Sequence, residues 1–301
     1  MKRAWFAWAV ALVVALLLLV PVHTAFATYA PGWTFTRIAH DTRVMTPMAF
    51  DGTQLVWQCP STAGYDLITQ RADQPNTWRW IATSSQEMRA VSVSGDRVVW
   101  EGHDGANWQV YTFEVGVDHA PQQVTNDTHD HSGTKLSGDR AVWLGNDGTY
   151  DQVFTMKLGT DPAPSQLTTQ ATYHDQPVVT HDNVAWLDYP RWRHVGYTVM
   201  TQNMASGADP VRLTTDGTSN ELAADDDAIA CLRRSFNSGM WYVATFSLDP
   251  NRPVGEYDTP LTDYTLQQQR WTLQPAVLQA VCDLGTGLGR LRRGPGRRLG
   301  S

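Results

Sequence analysis

Cysteine, lysine and glutamate are scarce in this chain, and each scarcity excludes something. Three cysteines in 301 residues cannot supply the framework of bridges that holds small secreted domains together. Cys59, Cys231 and Cys282 show no C-x-x-C spacing and no His/Cys metal pattern. Cys231, and with less fidelity Cys282, stands where a repeated tryptophan stands elsewhere, so buried small hydrophobes are preferred over a Cys231–Cys282 bridge. Little Lys and Glu beside 13 tryptophans favours strands over helices. Charged residues make up 18% and hydrophobic residues 42%, a balance that suits a folded globular chain.

Long apolar runs are also lacking, with one exception. Ala4 to Val20 follows Lys2 and Arg3 and precedes Ala25-Phe26-Ala27, an A-x-A site. This predicts an export signal over 1–27, cleaved before Thr28. The apolar run of 17 residues also reaches the lower edge of a membrane-spanning length, so a tether through an uncleaved signal is the alternative. Either outcome places the chain outside the cytoplasm, in the periplasm, on the cell surface or beyond it. The formal net charge is −7; setting aside Lys2, Arg3 and the five arginines of 285–301 leaves −14 over 28–284. So acidic a segment disfavours nucleic acid as a partner and tolerates cations or basic partners.

What is present is a repeat. Ser94-Gly95-Asp96-Arg97-Val98-Val99-Trp100 returns as Ser137-Gly138-Asp139-Arg140-Ala141-Val142-Trp143, with weaker copies ending at Trp57 and Trp186. The four tryptophans are spaced 43 residues apart. Thr69, Thr112, Thr155 and Thr198 follow each tryptophan at the same interval, closing short alternating segments bounded by Asp-Gly turns, a hairpin signal. A further strand, seen as Gln123-Val124-Thr125, Gln166-Leu167-Thr168 and Arg212-Leu213-Thr214, precedes each tryptophan; Thr34 to Ala39 holds the same place before Trp57. Four short strands per 40–45 residues is the blade of a β-propeller.

The predicted fold is therefore all-β, a propeller of four-stranded blades over 34–284. Six blades are expected, the N-terminal strand joining C-terminal strands to close the ring and remove its exposed edges. Five or seven blades are the alternatives. Blade four carries extra residues, and in blade five Cys231 replaces the tryptophan. The Gly/Arg-rich tail over 285–301 packs poorly as strand and is expected to be disordered.

The Ser-Gly-Asp-Arg-Val-Val-Trp phrase, the hairpin at Asn107-Trp108-Gln109-Val110-Tyr111 and the Gln-Leu-Thr strand resemble the TolB-like, or WD-repeat-like, propellers of exported proteins. The resemblance covers 34–284. It implies a secreted or periplasmic binding scaffold. The namesake carries an additional α/β domain before its propeller and binds a lipoprotein at the outer membrane; here the first blade strand starts soon after the signal site, so that role is not expected to transfer. Related propellers cap serine peptidases, which need a G-x-S-x-G turn that this sequence lacks.

Trp57, Trp100, Trp143 and Trp186 recur at one blade position and so read as core. Loops leading into the first strands hold Asp127, His129, Asp130 and His131 in one repeat and Tyr173, His174 and Asp175 in the next. His131 and His174 are 43 residues apart, hence equivalent; Met45 and Met88 fill the earlier positions. Two imidazoles beside Asp130 and Asp175 could bind a divalent metal or act as acid and base, against the plainer reading of solvated loops. Trp192 is a candidate binding aromatic. No cofactor is evident; calcium or another divalent metal is the one inorganic ligand that the Asp225-Asp226-Asp227 run and the Asp-Gly turns suggest. The expected function is a non-enzymatic, monomeric protein- or glycan-binding scaffold, with a polysaccharide hydrolase or lyase as the alternative.

Overall fold

The computed structural model describes residues 45–74, 77–189, 197–214, 219–225, 228–234, 239, 241–248 and 256–259. These belong to the compact unit Ile38–Ser301. The signal segment, the strand at Thr34–Ala39, Trp192, Asp226, Asp227, Cys282 and the tail lie outside the described residues. Among the described residues there is no helix, and none long and apolar enough to cross a membrane.

Five four-stranded antiparallel sheets follow one another along the chain. Sheet one holds β1 (Thr46–Phe50), β2 (Gln54–Ser61), β3 (Gly64–Arg71) and β4 (Arg79–Ser84). Sheet two holds β5 (Arg89–Ser94), β6 (Arg97–His103), β7 (Trp108–Glu114) and β8 (Gln122–Gln123). Sheet three holds β9 (His131–Ser137), β10 (Arg140–Asn146), β11 (Asp151–Lys157) and β12 (Ser165–Gln166). Sheet four holds β13 (Tyr173–Thr180), β14 (Asn183–Tyr189), β15 (Thr198–Asn203) and β16 (Val211–Arg212), and sheet five β17 (Ser219–Asp225), β18 (Ala228–Arg234), β19 (Trp241–Ser247) and β20 (Glu256–Thr259). The first strands β1, β5, β9, β13 and β17 contact one another in sequence order, the radial arrangement of a β-propeller.

Alternation of side chains along each second strand gives every sheet two apolar faces. Trp100 packs with Val56, Leu67 and Ile81 of sheet one, whereas its neighbour Val99 packs with Leu136 and Trp143 of sheet three. Trp186 packs with Val142 and Val153 of sheet three, and Cys231 with Ala185, Leu187 and Val199 of sheet four. Each tryptophan, or the cysteine in its place, therefore faces the preceding sheet. Trp100, Trp143 and Trp186 are at most 2% exposed, which accounts for their repetition.

The rest of the repeated phrase is a fastening between sheets. Gly95 and Gly138 start two-residue turns with φ of 57° and 58°, a geometry open to glycine at that place in a hairpin. The N–H of Gly138 donates to Ser94 Oγ (2.9 Å) and that of His181 to Ser137 Oγ (3.0 Å). Gly95 N–H donates to Asp51 Oδ2 (2.7 Å), Asp51 standing 43 residues before Ser94. The serine recurs because it accepts from the following sheet's turn.

Two expectations about register change. Thr69, Thr112 and Thr155 each donate to a carbonyl of the second strand, at Leu55, Val98 and Ala141. In sheet four that bond is made by Thr201, to Val184, and not by Thr198, which donates to Asp188. Trp186 pairs with Met200 as Trp143 pairs with Phe154, so the extra residues of blade four lie in the β14–β15 hairpin. The Gln-Leu-Thr segments are only partly strand: β12 ends at Gln166, after which Thr168 Oγ1 accepts from Val153 N and donates to Gln152 Oε1. Thr125 does the same with Val110 and Gln109.

Candidate functional site

Arg89 pairs with Glu101 and His103 with Trp108. The start of each first strand and the hairpin joining second to third strands thus share one end of the sheets, opposite the Ser-Gly-Asp turns. His131 and His174 sit at this end as strand residues, in β9 and β13, rather than in the loops before them.

Both imidazoles are buried, at 3% and 5% exposure, as is Met88 at the equivalent position just before β5. Histidine here replaces a core methionine, which corrects the solvated-loop reading. The His131 ring lies edge-on against Phe154, with centroids 6.4 Å apart, over Gly145. Its Nε2 is 3.2 Å from Asp127 Oδ2, whereas Nδ1 has no hydrogen-bond partner. A proton on Nε2 is therefore matched and a second on Nδ1 is not. Burial, outweighing the attraction of Asp127, lowers the His131 pKa below its usual value.

His174 Nδ1 lies 3.0 Å from the Asp151 carbonyl, which can only accept, so Nδ1 carries the proton. Its Nε2 lies 3.9 Å from Asp188 Oδ1, which accepts a hydrogen bond from Thr172 Oγ1. Burial again lowers the pKa, more than the Asp151 carbonyl and Asp188 raise it. Each histidine is thus held by its own partners. Among the described residues no group of three or more His, Cys, Asp or Glu side chains is placed to hold a metal ion.

Asp130 is exposed and accepts from Trp108 N–H at 2.8 Å, joining the loop before β9 to the start of β7. Asp175 is partly buried, accepts from Gln176 N–H, and has its carboxyl pKa raised by desolvation. Burial, then Asp175, raises the nearby Tyr197 hydroxyl, and Tyr197 lies 5.3 Å from Tyr189. Tyr173, 50% exposed, meets Tyr150 edge-on at 5.9 Å. Asp104 and Asp147, in the Asp-Gly turns, each accept two backbone N–H groups; those bonds hold both carboxyls below their usual range.

Sequence reasoning did not single out Arg89, Glu101, Trp108 and Lys135. The Arg89 guanidinium lies 3.8 Å from the Trp108 ring centroid and 2.6 Å from the buried Glu101 carboxylate. Glu101 also accepts from the Thr134 N–H and hydroxyl, tying sheet two to sheet three. Burial lowers the Lys135 pKa, with Glu101 opposing. Arg89 shares its repeat position with Ser132 and Asp175, so a search for charge where other copies differ would have found it.

No protein-family model matches the sequence, and no curated protein matches it. Solved structures do. A prolyl endopeptidase aligns with a TM-score of 0.53 and 10% identity over 73% of this chain. The match spans 36% of that enzyme, so the chain corresponds to about a third of its length. The β-propeller domain of the trilobed protease from Pyrococcus furiosus, which has an open velcro topology, aligns with a TM-score of 0.52 and 7% identity, covering 74% of this chain and 72% of that one. A protein assigned as TolB from Agrobacterium tumefaciens gives 0.45 and 12%, with 74% and 84% covered. At these identities the first two likenesses bear on fold alone, and they agree with the β-propeller read from the sheets.

Proposed function

We propose that this chain is an exported, monomeric scaffold of the TolB-like kind that binds a protein or glycan partner through the end of the sheets bearing Tyr173, Trp108 and Asp130. The observation that carries this reading is the division of labour at that end. Aromatic rings and carboxylates reach solvent there, while His131 and His174 serve packing and expose no nitrogen. The Ala4–Val20 run and its A-x-A site support export. The net charge of −14 over 28–284 favours a basic or neutral partner over nucleic acid.

Six blades belong to the same proposal. Trp57 stands on the side of sheet one away from sheet two and is only half-buried, and Phe50 is 57% exposed. On sheet five, Ala230, Leu232 and Val243 match positions that face a following sheet, and all three are buried. Apolar side chains facing away from the series at both of its ends support a closing blade drawn from the two chain termini.

Asp175 favours a second reading, a polysaccharide hydrolase or lyase with an acid/base or divalent-metal site at this end. A carboxyl whose pKa is raised by burial, beside Tyr197, is the kind of group that serves as a proton donor in acid/base sites. A glycan and protein-ligand binding screen of the mature chain, with metal analysis and a product assay, separates the two. The scaffold reading expects a ligand whose binding is lost in Y173A/D130A, without turnover. Product formation abolished by D175N would replace it with the enzyme.

A further inference from the structure

A cleft of about 350 Å³ opens at the outer rim between sheets one and two, at the end opposite the histidines. Arg79 and Trp80 of β4 form one wall; Phe113, Gly116, Asp118 and His119, from β7 and the turn after it, form the other. Sheet one differs here from sheet two in its side chains: Arg79 and Trp80 pair with Thr69 and Ile68, where Gln122 and Gln123 of β8 pair with Thr112 and Tyr111. The start of β4 thus carries an aromatic ring outward where β8 carries glutamine. Trp80 is 45% exposed, with Trp78 beside it at 58%.

The polar groups of the cleft are unevenly committed. Trp80 Nε1–H donates to Thr83 Oγ1 (3.0 Å), whose hydroxyl donates to Asp66 Oδ1 (2.5 Å). The indole is thereby oriented, its one donor is used, and its π face is what remains to offer a ligand. Asp118 accepts from Glu114 N–H on one oxygen and from Gln122 Nε2 on the other. Arg79 forms no ion pair or hydrogen bond among the described residues. In a segment with net charge −14 over 28–284, an unpaired guanidinium beside an exposed indole is unusual, because carboxylates are abundant.

We propose that this cleft binds a saccharide bearing a carboxylate, a hexuronate unit stacked on Trp80 with its carboxylate received by Arg79. A pyranose offers a flat C–H face to the indole and hydroxyls to its surroundings, and a guanidinium matches a carboxylate in two parallel hydrogen bonds. The volume is at the lower end of small-ligand sites, suited to one or two sugar rings. A protein partner would cover several hundred Å² and use the rim more widely. This site is separate from the end bearing Tyr173, so either can fail without the other.

The test is intrinsic tryptophan fluorescence and calorimetry of the mature chain titrated with a hyaluronan tetrasaccharide, in which glucuronate alternates with N-acetylglucosamine. Chitotetraose is the uncharged control and a Glu-rich peptide the protein-like one. The expected result is saturable binding to the first, weaker by about tenfold for chitotetraose and by about tenfold or more in R79Q and in W80A, and unaffected in Y173A. R79Q alters an exposed side chain, so it stays informative if W80A perturbs folding; matched melting curves verify both. No binding at millimolar tetrasaccharide overturns the proposal, as does equal affinity for chitotetraose or indifference to R79Q. Capture of the Glu-rich peptide alone, dependent on Arg79, assigns the cleft to protein and overturns it equally.

Discussion

Replacing Gly145 with alanine tests whether His131 is a packing residue. A Cβ at position 145 would stand 2.8 Å from His131 Nδ1, 3.0 Å from its Cε1 and 3.0 Å from Phe154 Cε2. None of these atoms is at the end of a long side chain able to swing aside: the imidazole is anchored through Nε2 to Asp127, and Phe154 stacks on Trp143 with centroids 6.4 Å apart. An unobstructed Gly→Ala change inside a strand would stabilise by roughly 0.5–1 kcal/mol through backbone entropy. Overpacking a close-packed site costs about 1–3 kcal/mol, so the net expectation is a loss of about 0.5–2 kcal/mol. For a domain of this size that lowers Tm by roughly 2–4 °C per kcal/mol. Urea unfolding followed by circular dichroism and fluorescence measures it. G145A should also be milder in an H131A background, where the methyl enters vacated space, giving a coupling of about 0.5 kcal/mol or more. A stabilised or neutral G145A, or strict additivity with H131A, would refute the buried placement of the ring.

The same burial sets a pH dependence. Both histidines have folded pKa values below the unfolded value of about 6.5, so the unfolded chain takes up protons that the fold refuses. Stability should fall as pH drops through 6.5 and level off below the folded values. H131M/H174M, copying Met88, should flatten that fall in a melting series from pH 8 to 5; an unchanged slope would mean the imidazoles do not cause it. Asp175 acts in the opposite sense: its pKa is raised by burial, so the fold holds a proton that the unfolded chain gives up. S94A and S137A each remove an acceptor between sheets and should cost about 0.5–1.5 kcal/mol, adding in the double variant because the sites lie in different sheets. Unchanged melting of the double variant would mean that the serines do not fasten the sheets.

Much of the fold was legible because a propeller repeats its chemistry at a fixed interval. Tryptophan at 100, 143 and 186, the Ser-Gly-Asp turns and the closing threonines recur since each sheet meets its neighbour in the same way. Register failed where the period broke. Thr198 lies 43 residues after Thr155, yet the lengthened β14–β15 hairpin moves the equivalent bond to Thr201. Spacing counts residues, while the ladder counts hydrogen bonds, and only the folded sheet reveals which residues are left out.

By itself the sequence determined the class of fold, the order of the strands and which face of each second strand is apolar, because alternation and repetition are local properties. It also marked 131 and 174 as equivalent. Only the tertiary structure decided that their side chains are buried, since an imidazole, a methionine and a carboxylate look alike in a periodic pattern but differ in what packs over them. The same holds for Arg79 and Trp80. Their sequence context is that of any blade strand, and the cleft exists because the start of β4 lies beside Phe113 and the turn after β7, contributed by the next sheet.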